Sequence, residues 1–119
     1  MMLYGGIYMF DKKQLLKLVD HDKELLLSII EIFKTEWPDA IDGIDSHLQK
    51  SEAEEAEKLA HKLKGNLKNF YAEECIDIAQ DLETACRNND SQAAMRKLEK
   101  LKPLCKKLEN ELTISADEI

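Results

Sequence analysis

Residues 51–70, SEAEEAEKLAHKLKGNLKNF, contain the pattern that decides the fold. Apolar side chains recur here every three or four residues, which is the spacing of one face of an α-helix; they are Ala56, Leu59, Ala60, Leu63, Leu67 and Phe70. Ser51 and Glu54 have the spacing of a capping box at a helix N-terminus, and Asn69 could adopt the left-handed conformation that ends a helix. We therefore predict an amphipathic helix between these two ends.

The residues before this stretch predict two more helices. Asp11 could cap a short helix that ends at Val19, and a second pattern runs from near Asp22 to about Gln49. Pro38 lies inside the second pattern, so we expect a kink there or a junction between two helices. The apolar stripe of this helix consists of Leu26, Ile30, Phe33, Trp37, Ile41, Ile44 and Leu48.

The residues after the stretch 51–70 predict two further helices. A fourth helix over about 73–87 has an apolar face made of Cys75, Ile78, Ala79, Leu82 and Cys86. A turn with a helix cap at 88–91 leads into a last helix that ends near Leu112, with a local distortion at Pro103, and residues 115–119 are expected to fray. The stripe of the last helix is Ala94, Leu98, Leu101, Leu104, Cys105 and Leu108.

These helices predict the fold class. Short connections favour antiparallel neighbours, so we expect an all-α fold, an antiparallel up-and-down four-helix bundle with a short N-terminal helix. At 119 residues the chain forms one domain, 1–119, in which the leader 1–10 and the tail 113–119 are peripheral.

Composition excludes several function classes. The net charge of −7 argues against nucleic acid as a partner, because phosphate contacts need a cationic face. No apolar run approaches the roughly 20 residues of a membrane span, and the first ten residues are too short and uncharged for a signal peptide. The three cysteines lack CxxC spacing, so we interpret them as small apolar residues in a reducing compartment, with no zinc site. We expect a cytoplasmic protein with no membrane partner.

Gly65 and His61 stand out within the central helix. A glycine inside a helix costs about 1 kcal/mol relative to alanine, which we explain by a large partner approaching the backbone one turn beyond His61. His61 lies about 200° around the helix from Leu63 and therefore faces solvent. Four residues share its side of the helix, namely Lys58, Lys64, Gly65 and Lys68.

The lysines suggest what His61 could bind. Nearby ammonium groups favour the neutral, nucleophilic ring and would stabilise a phosphoryl group on it. Metal binding is disfavoured, because neither His21 nor His47 is at a helical pairing distance. The alternative is an ordinary solvated histidine among surface lysines, which leaves Gly65 unexplained.

Residues 60–65, Ala-His-Lys-Leu-Lys-Gly, resemble the signature of histidine-containing phosphotransfer (HPt) domains, whose core is H-x-[LIV]-K-G. The resemblance extends to the long apolar helix before this segment, the acidic stretch Glu52–Glu57 and the pair Leu82-Glu83 after it. One position departs from the family. HPt domains commonly have glycine ten residues after the histidine, where this chain has Tyr71, which we expect to pack over the end of the bundle.

The resemblance implies roles for three residues. His61 would accept the phosphoryl group, Lys64 would stabilise it, and Gly65 would give the partner steric access. Secondary candidates near the site are Lys62, Lys68, Gln80 and Arg87. The implied partners are the receiver domain of a response regulator and a histidine kinase or hybrid sensor kinase. The chain itself would need no cofactor or metal, because Mg²⁺ belongs to the receiver, and it would be a phosphotransfer carrier without autonomous catalysis.

Three points remain open at this stage. The chain could instead be a binding module that docks on a receiver or kinase without carrying phosphate. The helix from Asp22 to Trp37 is apolar over more than one face, so either the helix at 12–19 covers the excess or an exposed patch receives a receiver helix. Finally, Gln80, Glu83 and Arg87 follow helical spacing along one flank, which is either a solvated face or a group that reaches the phosphohistidine.

Overall fold

The computed structural model describes residues 8–118, and within them the chain forms five helices and no strand. In chain order they are α1 Lys12–Leu18, α2 Lys23–Gln49, α3 Ala53–Lys68, α4 Glu73–Arg87 and α5 Ser91–Asp117. The predicted all-α class is confirmed. None of these helices combines the length and the apolar character that crossing a membrane requires.

The four longer helices enclose one core. Helix α2 packs against α3 and α5, and α4 packs against the same two helices from the other side. Every residue of the predicted α2 stripe is buried, and each fully buried side chain of this size contributes about 1.5–3 kcal/mol. Helix α1 covers one end of the core with Leu15 and Val19, and the Asp11 N–H donates to the Phe70 carbonyl at 3.4 Å. Periodicity therefore predicted the helices and most of their buried residues; Leu59, Ile78 and Leu104 of the other predicted stripes are half-buried.

Three aspartates cap helices in the same way. Asp11, Asp22 and Asp90 each accept a hydrogen bond from a backbone N–H three residues further on, at 3.1–3.2 Å. Such a bond satisfies one of the N–H groups that have no partner inside the helix. The predicted caps at Asp11 and Asp22 are confirmed, and the cap expected within 88–91 is Asp90.

Both prolines lie inside unbroken helices. Helix α2 continues through Pro38, so the alternative of two helices meeting there is wrong. Helix α5 continues through Pro103 and ends at Asp117, five residues beyond the predicted end at Leu112. Ser115 and Ala116 are buried, and because this burial stabilises the last turn, the expected fraying is not observed over 115–117.

The start of α3 differs from the prediction. Ser51 has a left-handed backbone with φ of 61°, so it ends the connection from α2 and does not form a capping box. The N-cap is Glu52, which makes no capping bond because its carboxylate lies 2.7 Å from Nδ1 of His47. A contact with the preceding helix thus replaces the local cap.

The end of α3 also differs. Asn69 remains right-handed with φ of −59°, and the left-handed residue is Tyr71 with φ of 56°. Glycine is the residue that adopts this conformation without steric conflict. The position where HPt domains commonly have glycine is therefore one whose backbone favours it. The Tyr71 side chain is half-buried and lines a cleft with Gln14 and Leu18, so it packs over the end of the fold as expected.

The residues before α1 are tied to α5. The Met9 N–H donates to the Glu111 carboxylate at 2.7 Å, the Tyr8 hydroxyl donates to Glu118 at 3.1 Å, and Phe10 is buried. The last three residues of the predicted leader thus contact the core and its last helix. Residues 1–7 and 119 of the predicted leader and tail lie outside the described residues.

One close helix contact was not predicted. A Cβ atom on Gly43 of α2 would lie 2.8 Å from Cδ1 of Leu59 on α3, which is shorter than a real contact allows. Gly43 therefore leaves room on α2 for the end of the Leu59 side chain, two residues before His61 on α3.

The three cysteines are free and buried. Desolvation raises the pKa of the Cys75 thiol to about 12 and also raises the pKa values of Cys86 and Cys105. Because the thiolate is the reactive form, their interpretation as small apolar core residues is confirmed.

Candidate functional site

His61 lies in the middle of α3 with 68% of its side chain exposed, as the helical phase predicts. Its Nδ1 atom is 2.9 Å from Oε2 of Glu83 on α4. One ring nitrogen is therefore held by the neighbouring helix.

Glu83 is the buried centre of this site. Only 4% of the residue is exposed, yet its carboxylate contacts three side chains: His61 Nδ1, Lys64 Nζ at 2.7 Å and Arg87 Nη2 at 3.2 Å. Desolvation raises the pKa of Glu83, but the ion pair with Lys64 and the hydrogen bond with His61 together outweigh it, so its pKa lies below the ordinary value. Glu83 is therefore ionised at neutral pH.

The charge on Glu83 determines which nitrogen of His61 carries the proton. An ionised carboxylate has no proton to donate, so His61 Nδ1 must be the donor in this hydrogen bond. In the neutral ring Nε2 then has the lone pair. The arrangement holds the imidazole by one nitrogen and leaves the other as a nucleophile.

Lys64 is on the predicted side of α3, but its ammonium is turned toward α4. Only 11% of the side chain is exposed. Its Nζ atom donates to Oε1 of Gln80 at 2.8 Å and lies 2.7 Å from Oε1 of Glu83. The approach to Glu83 is off the direction of a well-aligned hydrogen bond, so this contact is an ion pair.

The secondary candidates divide into two groups. Gln80 and Arg87 belong to the network around Glu83, and Arg87 also donates from Nε to Glu57 at 2.9 Å. Lys62 and Lys68 are exposed on α3, and neither forms a side-chain hydrogen bond or ion pair within residues 8–118.

The sequence left open whether the flank with Gln80, Glu83 and Arg87 is a solvated face or reaches the phosphohistidine. For Glu83 the solvated face is wrong, because the residue is buried and contacts His61. That it is the buried centre of the site was not predicted. A carboxylate flanked at helical spacing by a cation and an amide was the available indication.

Gly65 has no packing role in the isolated protein. It is exposed within α3, and a Cβ atom added there would meet nothing within 4 Å. Unlike Gly43, it is not required by any contact between the described helices.

The surroundings of His61 are an open cleft lined by Glu54, Glu57 and Lys58 together with Glu83. Among residues 8–118, no three or more His, Cys, Asp or Glu side chains converge in a way that could hold a metal ion.

An apolar strip on α2 remains exposed. Leu25, Leu27 and Ile32 are 40–57% exposed, so α1 does not cover all of the excess apolar surface of α2. Leu25, Ile29 and Ile32 follow helical spacing. Ile29 and Ile32 line a shallow groove whose opposite side includes Asn66 and Asn69, residues at the C-terminal end of α3. We call Leu25, Ile29 and Ile32 the α2 strip.

Comparison with known proteins found no match among curated proteins and none among solved structures. The family model of the Hpt domain matches residues 28–117. This range includes the whole site and most of the chain, so the protein belongs to the Hpt domain family, whose members are phosphotransfer carriers of two-component phosphorelays that interact with receiver domains and kinases.

Proposed function

We propose that this protein is a phosphorelay intermediate in which Nε2 of His61 accepts a phosphoryl group and exchanges it with the aspartate of a receiver domain. The observation that supports this most is the hydrogen bond between His61 Nδ1 and the buried carboxylate of Glu83. It leaves Nε2 exposed and nucleophilic.

The transfer balances without a base on this chain. The Nε2 lone pair attacks phosphorus, a P–N bond forms, and the P–O bond to the receiver aspartate breaks with its electron pair returning to that carboxylate. The ring keeps its Nδ1 proton and gains positive charge, which the ionised Glu83 stabilises. In the reverse direction the ring leaves as neutral imidazole. Mg²⁺ acts on the receiver, and we propose no cofactor or metal on this chain.

Gly65 provides access to the site. A helical glycine that its own fold does not require has an exposed backbone without a side chain, which a partner can approach closely. We infer that the receiver packs over Gly65 and brings its aspartate to Nε2 of His61. A histidine kinase or hybrid sensor kinase would be the other partner.

The α2 strip extends this docking surface. It borders the C-terminal half of α3, the same half that contains Gly65. We propose that it receives an apolar helix face of the receiver, since an apolar centre with a polar rim is the usual anatomy of an interface. We further propose that the four longer helices form the antiparallel up-and-down bundle of the family, as a single domain that functions in the cytoplasm.

Labelling tests the proposal. The chain is incubated with a receiver domain that carries a ³²P-phosphoryl group, and the product is treated with acid and with base. We expect a phosphate that is labile in acid and stable in base, and no label on His61→Gln. Equal labelling of His61→Gln would contradict the assignment. If His61→Ala instead regulated its partner as well as the wild type does, the chain would be a binding module.

A further inference from the structure

The ammonium group of Lys64 is directed away from solvent and toward two oxygen atoms of α4. Its contacts are Gln80 Oε1 at 2.8 Å and Glu83 Oε1 at 2.7 Å, and neither is an atom of the imidazole. Given the proposed role of His61, on which this inference rests, we propose that Lys64 is a positioning residue that acts on His61 through Glu83 and is not a ligand of the phosphoryl group.

The orientation of Gln80 supports this assignment. Its Nε2 donates to Oγ1 of Thr84 at 3.1 Å, so its carbonyl oxygen is the atom that faces Lys64. A chain of contacts therefore runs from Thr84 through Gln80 and Lys64 to Glu83, and from Glu83 to His61. Each member fixes the orientation of the next.

The two oxygens of Glu83 have different partners. Oε1 contacts Lys64, whereas Oε2 contacts His61 and Arg87. Lys64 thus sets the rotation of the carboxylate group and directs Oε2 at the ring. Arg87 cannot replace it, because its side chain is 55% exposed and it is shared with Glu57.

Moving the Lys64 ammonium from Glu83 to a phosphoryl group on His61 would be unfavourable in free energy. It would leave the buried Glu83 carboxylate without its closest cation, and separating a buried ion pair is strongly unfavourable. The phosphoryl group on Nε2 is exposed to water, which solvates it without this penalty. The lysine therefore stays on Glu83 while the ring is phosphorylated.

The proton position on His61 is the first test. Long-range ¹H–¹⁵N NMR spectra of the unphosphorylated protein distinguish the Nδ1–H from the Nε2–H form. We expect the Nδ1–H form in the wild type and a mixture in Lys64→Met. The control is Lys100→Met, which removes an exposed lysine from α5, outside the site, and should match the wild type. An unchanged Nδ1–H form in Lys64→Met would overturn the proposal, because a phosphoryl ligand has no effect on the free ring while a positioning residue does.

A double-mutant cycle is the second test. Phosphotransfer rates from the labelled receiver are measured for the wild type, Lys64→Met, Glu83→Gln and the double variant. We expect Lys64→Met to slow transfer about ten- to a hundredfold in the wild-type background and less than about twofold in the Glu83→Gln background, because both changes remove the same interaction. In the Glu83→Gln background Lys64 still donates to Oε1 of Gln80, which keeps its ammonium directed toward α4. Equal slowing in both backgrounds would show direct contact with that group and overturn the proposal.

The two tests separate this inference from the proposed function. A wild-type chain that takes no label contradicts the phosphorelay proposal, while the NMR measurement still decides whether Lys64 controls the ring through Glu83. Circular dichroism and thermal unfolding establish that each variant is folded. If Lys64→Met does not fold, Lys64→Gln takes its place, since it removes the charge and keeps a polar N–H donor on a side chain one atom shorter.

Discussion

The carboxylate of Glu83 on α4 accepts a 2.9 Å hydrogen bond from Nδ1 of His61 on α3. The acceptor is 96% buried, whereas 68% of the donor side chain is exposed. The buried carboxylate of Glu83 therefore holds the exposed ring of His61. The packing of α3 against α4 keeps the carboxylate in place. This relationship connects the stability of the fold with the chemistry proposed for the site.

We expect Glu83 to make stability depend on pH. Its pKa in the folded protein lies below its ordinary value of 4.5, so near that pH the unfolded chain binds more protons than the folded one. The stabilisation is fully present above the unfolded pKa and is lost as the pH falls through the folded pKa. Urea unfolding between about pH 7 and pH 3 should therefore show a steeper loss for the wild type than for Glu83→Gln.

The control for this measurement is Asp77→Asn, which removes an exposed carboxylate from the same helix. Its stability should follow the wild-type pH profile. Parallel profiles for the wild type and Glu83→Gln would show that Glu83 has no such linkage.

We expect Gly65→Ala to separate stability from function. The added methyl group meets no atom within 4 Å, and alanine favours the helix, so the free energy of unfolding should rise by up to about 1 kcal/mol. Phosphotransfer with the receiver should fall by on the order of a hundredfold, because the methyl group displaces a partner that packs over this backbone. Thermal unfolding and the labelling assay measure the two effects, and unchanged transfer would exclude the access role of Gly65.

The two helical glycines should respond differently to the same change. Gly43→Ala gains the same helix propensity, but its methyl group would lie 2.8 Å from Leu59 Cδ1. Since overpacking typically costs about 1–3 kcal/mol, Gly43→Ala should be less stable than Gly65→Ala by about that amount. Urea unfolding of both variants checks the difference. Equal stabilities would mean that Leu59 moves aside without cost.

The sequence predicted the helices well because apolar periodicity reports burial directly. The α2 stripe and the bounds of α4 follow from it, as does the exposed position of His61. Contacts between helices depend on how one helix is rotated against the next, and a one-dimensional pattern does not contain this rotation. The burial of Glu83 beside His61 and the close contact at Gly43 were missed for that reason. Ser51 and Asn69 were misassigned because tertiary contacts and connection geometry outweighed local capping preferences.

We expect the α2 strip to affect binding and not folding. Ile32 is 57% exposed, so Ile32→Ser should leave the unfolding free energy nearly unchanged and weaken receiver binding about tenfold, by removing an apolar side chain from the interface. The matched control is Ile114→Ser, which removes an apolar side chain that is 56% exposed on α5, outside the α2 strip. Calorimetric titration with the receiver compares them, and equal affinities for both variants would exclude the strip as the docking surface.

At position 71 we expect glycine to give a more stable protein than alanine, which is the reverse of the usual order inside a helix. Its φ of 56° is unfavourable for any residue with a Cβ atom, by about 1–2 kcal/mol. Tyr71→Ala and Tyr71→Gly both lose the half-buried ring, so the loss of its contacts cancels when the two are compared. The glycine variant avoids the strain of the left-handed conformation. The greater conformational entropy of its unfolded chain cancels only part of this gain in stability. Tyr71→Gly should therefore be more stable than Tyr71→Ala by about 1 kcal/mol, whereas at position 65 alanine should be the more stable residue. Urea unfolding of the four proteins measures both orders, and a Tyr71→Ala variant as stable as Tyr71→Gly would show that the connection between α3 and α4 relaxes out of the left-handed conformation.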